Sequence, residues 1–345
     1  MLTNFLNVWL LARVMQSAVA AALGVLGAAL GVSIAWRWRA GQSDEVQLTL
    51  ERQAELVAAV MQVALFVGIV GLALSVFVAD HLVGGIRGAM CAFGVLASTG
   101  SGFVGLGVSA LAAVACGLWV VLHRFDLRLE TPALTRRKML ALLAVAPLAV
   151  ADFVLAVRFA HELDFSVIAS CCSVWLDDTA IQSQAARLVV SPNLAGGLGL
   201  AAAALALASS VAVWRWPGRA TALVGAALSG VAAVAVLPAV LGVVAPYALA
   251  TPGHLCPFCL LHAQGGWLGW PLFGALFAAT VTGLGLGVVE LHRPADRNLA
   301  PVRKFQRTLA RWSALAWLSV VLCGAFPVVR YLIHSGGVPV FGETT

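Results

Sequence analysis

Residues 56–79 read LVAAVMQVALFVGIVGLALSVFVA, 24 residues without a charge and with Gln62 and Ser75 as the only hydrogen-bonding side chains. An α-helix rises 1.5 Å per residue, so about 20 apolar residues cross the hydrocarbon core of a bilayer. A buried strand is far shorter, and a surface helix carries a polar stripe at helical period. This stretch is too long for the first and lacks the stripe of the second. It reads as a membrane-spanning helix.

Seven further stretches share its character, at 14–36, 102–122, 139–157, 194–213, 220–247, 270–289 and 312–332. Over the 345 residues, 61% are hydrophobic and 10% charged, and the mean hydropathy is +0.96. Soluble domains carry about 25% charged residues, so this composition excludes an ordinary soluble globule, a disordered tail and a small secreted disulfide scaffold. Segments of about ten residues with strict alternation, the mark of a membrane β-barrel, are missing. The 34 glycines suit helices that approach one another closely. The sequence therefore predicts an all-α fold: a polytopic integral membrane helical bundle of eight transmembrane helices. It is expected to form a single transmembrane domain over 1–345, with possible halves at 1–190 and 191–345.

Charge supplies the orientation. Sixteen of the 21 Lys and Arg residues fall in the alternate connections 37–55, 123–138, 214–219 and 290–311. Arg13, Arg87, Arg158, Arg187 and Arg330 fall toward the other side. Cytoplasmic connections accumulate Lys and Arg. Both termini are therefore expected on the exoplasmic side, most naturally of a bacterial inner membrane. The exoplasmic loops are then 80–101, 158–193 and 248–269. The basic runs read as cytoplasmic anchors in contact with membrane lipid, and no nucleic-acid partner is expected. The first span is followed by Trp36-Arg37-Trp38-Arg39, whereas a signal peptide carries its charge before the apolar core. It is expected to be retained.

Seven cysteines are sorted by this topology. Cys116 and Cys323 lie inside spans, where a thiol is a small apolar filler. Cys91, Cys171, Cys172, Cys256 and Cys259 all fall on the exoplasmic side, where disulfides persist if the compartment is a periplasm. The sharpest motif is His254-Leu-Cys256-Pro-Phe-Cys259-Leu-Leu-His262. Pro257 suits the first turn of a helix, which would put Cys256 at the cap and Cys259 one turn on. A helix N-terminus favours an anion, so a Cys256 thiolate would be stabilised there. The pair is thus a candidate redox-active dithiol. The same residues, His254, Cys256, Cys259 and His262, are also a candidate tetrahedral set for zinc or a soft site for copper. A disulfide that merely pins the loop is the third possibility. Adjacent Cys171 and Cys172 make a strained bridge with each other, and Cys91 is the odd thiol available to exchange with either site.

The first outer loop, Cys91-Ala-Phe-Gly-Val-Leu-Ala-Ser98 followed by Phe103-Val-Gly105, resembles the loop cysteine of the vitamin K epoxide reductase family and the functionally related bacterial disulfide-bond oxidase. Cys171 falls about where that family carries its Cys-x-x-Cys, although here the position holds a vicinal pair. The intact Cys-Pro-Phe-Cys comes later, at 256–259. The resemblance implies a membrane thiol–disulfide oxidoreductase in which a quinone accepts electrons from a membrane-embedded dithiol. Cys256 and Cys259 would be the quinone-facing pair, and Cys91 with Cys171 or Cys172 the shuttle thiols to an exoplasmic thiol protein. The later spans lie outside the resemblance, and the turn-forming Gln264-Gly265-Gly266 sets Cys-Pro-Phe-Cys on a short interfacial segment.

Asp152 lies in the fourth span, and an ionisable residue there marks a candidate site unless it is paired. Asp152 and His161 are candidates for a proton relay, while an ion pair of Asp152 with Arg87 or Arg330 is the structural alternative. Glu162, Asp164, Asp177 and Asp178 give the second outer loop a negative face suited to a basic cytochrome. The tryptophans cluster at span ends as an interfacial belt, and Pro238 is expected to kink the sixth span. Three functions follow in order: thiol–disulfide exchange with membrane quinone; metal or haem handling by a transporter or assembly factor; and a structural subunit of an oligomer or larger complex.

Overall fold

The computed structural model describes residues 7–39, 44–129, 134–166, 191–252, 254–293 and 299–341. Cys171 and Cys172, with Asp177, Asp178 and Arg187, lie outside the described residues. The described residues form helices and turns, with no strand, and eight of the helices are long and apolar enough to cross a membrane. The all-α polytopic bundle expected from hydropathy is the fold. The chain divides into two compact units, Met1–Ala169 with Leu291–Val302, and Ser170–Glu290 with Arg303–Thr345.

Unit 1 holds α1 (Val8–Arg37), α2 (Glu45–His81), α3 (Ala92–Ala97), α4 (Gly102–Asp126) and α5 (Thr135–Glu162). Its four long helices close a ring in which α1 packs on α2 and α5, and α4 packs on α2 and α5. Met61, Trp119, Met139 and Leu142 fill the centre, each almost wholly buried. Helix α2 starts eleven residues before the apolar stretch that reveals it. The Asp44 side chain accepts the Gln47 amide at 3.0 Å, which supplies the N-cap, and Gln47, Leu50 and Ala54 continue one buried stripe from there. Hydropathy alone does not see this extension because its outer face is charged.

The loop between α4 and α5 is closed by a buried pair. Lys138 Nζ donates to Asp126 Oδ2 at 2.5 Å, and the Leu134 amide donates to Asp126 Oδ1 at 3.1 Å. Both residues lie in the basic connection expected to be a solvated anchor, yet the carboxylate is consumed in holding the turn.

Unit 2 holds α6 (Pro192–Arg215), α7 (Arg219–Ala239), α8 (Ala245–Leu249), α9 (Gly269–Leu291) and most of α10 (Ala300–His334). A five-residue π-helical turn, Val240–Val244, joins α7 to α8. The kink expected at Pro238 takes this form. Pro246 has no amide to offer the Gly242 carbonyl, and the Ala245 amide reaches back five residues to the Val240 carbonyl. The core combines Ala203, Ala206, Ala232, Val236, Leu272 and Trp317. Small residues there let polar groups pair: Trp317 Nε1 donates to Ser229 Oγ at 3.3 Å, and the Ser210 and Ser313 hydroxyls share a hydrogen bond of 2.9 Å.

Candidate functional site

The segment between α8 and α9 carries the Cys-Pro-Phe-Cys motif. Helix α8 ends where Ala250 turns left-handed, at φ 52°, and the Thr251 amide closes on the Pro246 carbonyl at 3.1 Å. Pro257, at φ −72° and ψ −24°, then opens a four-residue 3-10 turn, Phe258–Leu261. The Leu260 amide donates to the Pro257 carbonyl and the His262 amide to the Cys259 carbonyl, each at 3.3 Å. His262 is extended, a second 3-10 turn covers Ala263–Gly265, and Gly266 and Trp267 are both left-handed before α9 begins.

The geometry of this turn brings the sulfurs together. Residues three apart eclipse one another in a 3-10 turn. The Sγ atoms of Cys256 and Cys259 lie within 4.8 Å of one another, and the residues are 6% and 5% exposed. Pro257 therefore starts a 3-10 turn and not the α-helix its spacing suggested. The helix-dipole stabilisation of a Cys256 thiolate does not carry over, because four residues of 3-10 structure do not sum to an α-helical macrodipole.

Two features hold the turn in place. Leu260, fully buried, inserts into the core of unit 2 beside Leu272 and Trp317. Behind it, Gly265 runs so close that a Cβ there would stand 2.6 Å from the Cys259 carbonyl oxygen and 2.6 Å from Leu260 Cα. Trp270 Nε1 donates to the Leu261 carbonyl at 3.2 Å, tying the first turn of α9 to the same loop. The pair thus sits on a backbone braced from both sides.

His254 and His262 flank the turn and are half-buried. Among the described residues neither joins the two sulfurs within 4.8 Å. In unit 1, Cys91 occupies the N-cap position of α3, extended at φ −159° and ψ 176°, and is fully buried. Cys116 is buried within α4, with its Sγ directed toward Gly68, and Cys323 is half-buried within α10.

The relay candidates separate. Asp152 Oδ1 accepts from Arg13 at 2.5 Å and also from the Ser109 hydroxyl. Arg13 spends its other donors on Ser75 Oγ at 2.7 Å, Gln16 Oε1 at 2.8 Å and Ser109 Oγ at 3.0 Å. The partner of Asp152 is therefore Arg13, in place of the expected Arg87 or Arg330. Hydropathy places Arg13 at a span end; the structure buries it, where serine and glutamine oxygens satisfy the guanidinium. His161 is exposed in the last turn of α5. Glu162 accepts from the Ser101 amide at 2.9 Å and from Arg158 Nε at 2.5 Å, so this acid braces the α3–α4 connection.

Sequence reading passed over a cavity of about 380 Å³ beside the Cys-Pro-Phe-Cys loop, lined by Gly265, Gly266, Tyr247, Tyr331, Arg330 and His334 among others. Arg330 and His334 stand four residues apart, the one signal in the sequence that they share a helix face. No family model, no curated protein and no solved structure matches the chain.

Proposed function

We propose that the chain is a membrane thiol–disulfide oxidoreductase, exchanging electrons between exoplasmic thiols and a membrane quinone through Cys256 and Cys259. One observation carries it: two buried sulfurs within 4.8 Å, on a turn whose spacing and bracing keep them together. A disulfide needs sulfurs that close to about 2 Å, and this arrangement is within a side-chain rotation of that.

The steps balance as follows. A thiolate of the exoplasmic partner attacks the Cys256–Cys259 disulfide; a mixed disulfide forms and one cysteine leaves as thiolate. The partner's second thiolate attacks the mixed disulfide, releasing the partner oxidised and the pair as two thiols. A quinone then takes two electrons and two protons from the pair, restoring the disulfide and leaving as quinol. Cys91, with Cys171 or Cys172, is the proposed shuttle between partner and pair. The Lys/Arg distribution favours a bacterial inner membrane with both termini exoplasmic, which puts all five of these cysteines on the partner's side.

Metal or haem handling is the second reading, because two soft sulfur donors at this separation also suit zinc or copper(I). One experiment separates the two. The full chain, purified from membranes, is alkylated with and without mild reductant, and the peptide holding both cysteines is weighed. Oxidoreduction requires that this peptide gain two alkyl groups after reduction, and that added quinone reverse the gain. A pair that never changes state, together with stoichiometric zinc or copper in the preparation, would overturn it.

A further inference from the structure

Two cavities of unit 2 meet at Tyr247. The first, of about 370 Å³, runs among α6, the π-helical turn and α10; Gly197, Val243 and Gly324 are among its walls, and no charged side chain lines it. The second is the cavity of about 380 Å³ at the C-terminal end of α10, with Arg330 and His334 at its edge. Tyr247 lines both, and its ring stands edge-on to Tyr331 at 5.4 Å and to Phe341 at 5.8 Å.

The chemistry of the two halves differs sharply. The apolar half accepts hydrocarbon, and helix-swelling π turns recur at binding sites because they reshape one wall of a helix. The other half offers donors only. Arg330 is exposed, and among the described residues no carboxylate lies within 4.0 Å of it. His334 Nδ1 is engaged with the Arg330 carbonyl at 2.8 Å, which leaves Nε2 for another partner. A guanidinium fork matches a phosphate bidentately, whereas a neutral quinone head would leave its charge unanswered. Tyrosines at the junction of apolar and polar halves are what a membrane interface selects.

We propose that unit 2 holds one phosphate-headed membrane lipid, its acyl chain in the apolar cavity beside the π-helical turn and its phosphate against Arg330 and His334. Tyr247 separates chain from head. The site needs no redox chemistry and stands independently of the function proposed above.

The test uses the full chain reconstituted into phosphatidylcholine bilayers with or without phosphatidylglycerol, then released for native mass spectrometry. One phosphatidylglycerol is expected to stay bound per chain. Arg330→Gln should weaken its retention about tenfold, the loss expected when a charged hydrogen-bond donor is removed. Gly197→Leu, which projects into the apolar cavity where a Cβ meets nothing within 4 Å, should lower retention with Arg330 intact. Arg303→Gln, remote along α10, should change nothing. If Arg330→Gln fails to give a helical, monodisperse protein, Arg330→Lys keeps the charge without the fork and should give a smaller loss. Equal retention of phosphatidylcholine and phosphatidylglycerol, retention unaffected by either substitution, displacement by inorganic phosphate, or a quinone recovered in place of phospholipid would each overturn the proposal.

Discussion

Arg13 and Asp152, 139 positions apart in the chain, are joined inside unit 1 by an ion pair of 2.5 Å, with side chains 8% and 12% exposed. The pair ties the first turns of α1 to the middle of α5. Removing one partner of a buried pair strands the other charge, at a cost of about 3–5 kcal/mol, while replacing both with apolar groups is often nearly neutral. Asp152→Asn and Arg13→Met should therefore each lower the unfolding midpoint of the purified chain in denaturant. The double variant Arg13→Met/Asp152→Leu should recover most of the loss. Equal destabilisation by single and double variants would show that the pair is not the unit of stability.

Leu260 belongs at once to the cysteine turn and to the core of unit 2. Trimming a fully buried leucine to alanine removes packing and leaves a cavity, together about 2–5 kcal/mol. Leu260→Ala should lower thermal stability and raise the alkylation rate of Cys256 and Cys259 in the reduced protein. A stability loss with unchanged alkylation would mean that the turn is held by its glycine contacts alone.

Gly265→Ala tests those contacts directly. A methyl group cannot share 2.6 Å with a carbonyl oxygen, so the turn must shift, at roughly 1–3 kcal/mol. The expected result is a modest loss of stability with a larger loss of disulfide formation between Cys256 and Cys259, read by mass after oxidation.

His254 and His262 do not join the two sulfurs within 4.8 Å. Replacing both with alanine should leave thiol exchange within about twofold, because neither is required for attack on the disulfide. A complete loss of exchange, or loss of a metal retained by the parent protein, would favour the ligand-cage reading.

Cys259→Ser should accumulate a mixed disulfide through Cys256 with an exoplasmic thiol protein, because the resolving sulfur is gone. Non-reducing electrophoresis of cross-linked membranes reads this outcome, and the reductant-sensitive band should vanish in Cys256→Ser/Cys259→Ser.

Hydropathy makes the eight spans legible, because a bilayer imposes one length on every crossing. It misses what cooperates across the chain. The early start of α2 depends on the Asp44 cap and a half-buried stripe, which an average over apolar residues dilutes. Asp152 announces that it needs a partner, but nothing local says that Arg13 is the one. At Cys256–Cys259 the three-residue spacing is legible and the 3-10 form is not. That form follows from Leu260 seating in a distant core and from Gly265 passing behind it, both tertiary facts. Arg330 and His334 look like an unremarkable helix end until Tyr247 and its cavities are placed beside them.

The turn at Val240–Val244 makes the sixth span sensitive to length in a way its composition conceals. A π turn accommodates one residue more than the α-helix on either side of it, and each residue of an α-helix advances the azimuth by about 100°. Deleting a single residue from this turn would let the span run as continuous α-helix at little local cost. Everything after it would then rotate by that angle, carrying Tyr247 away from Tyr331 and out of both cavities. Substitutions within the turn preserve that phase; insertions and deletions do not.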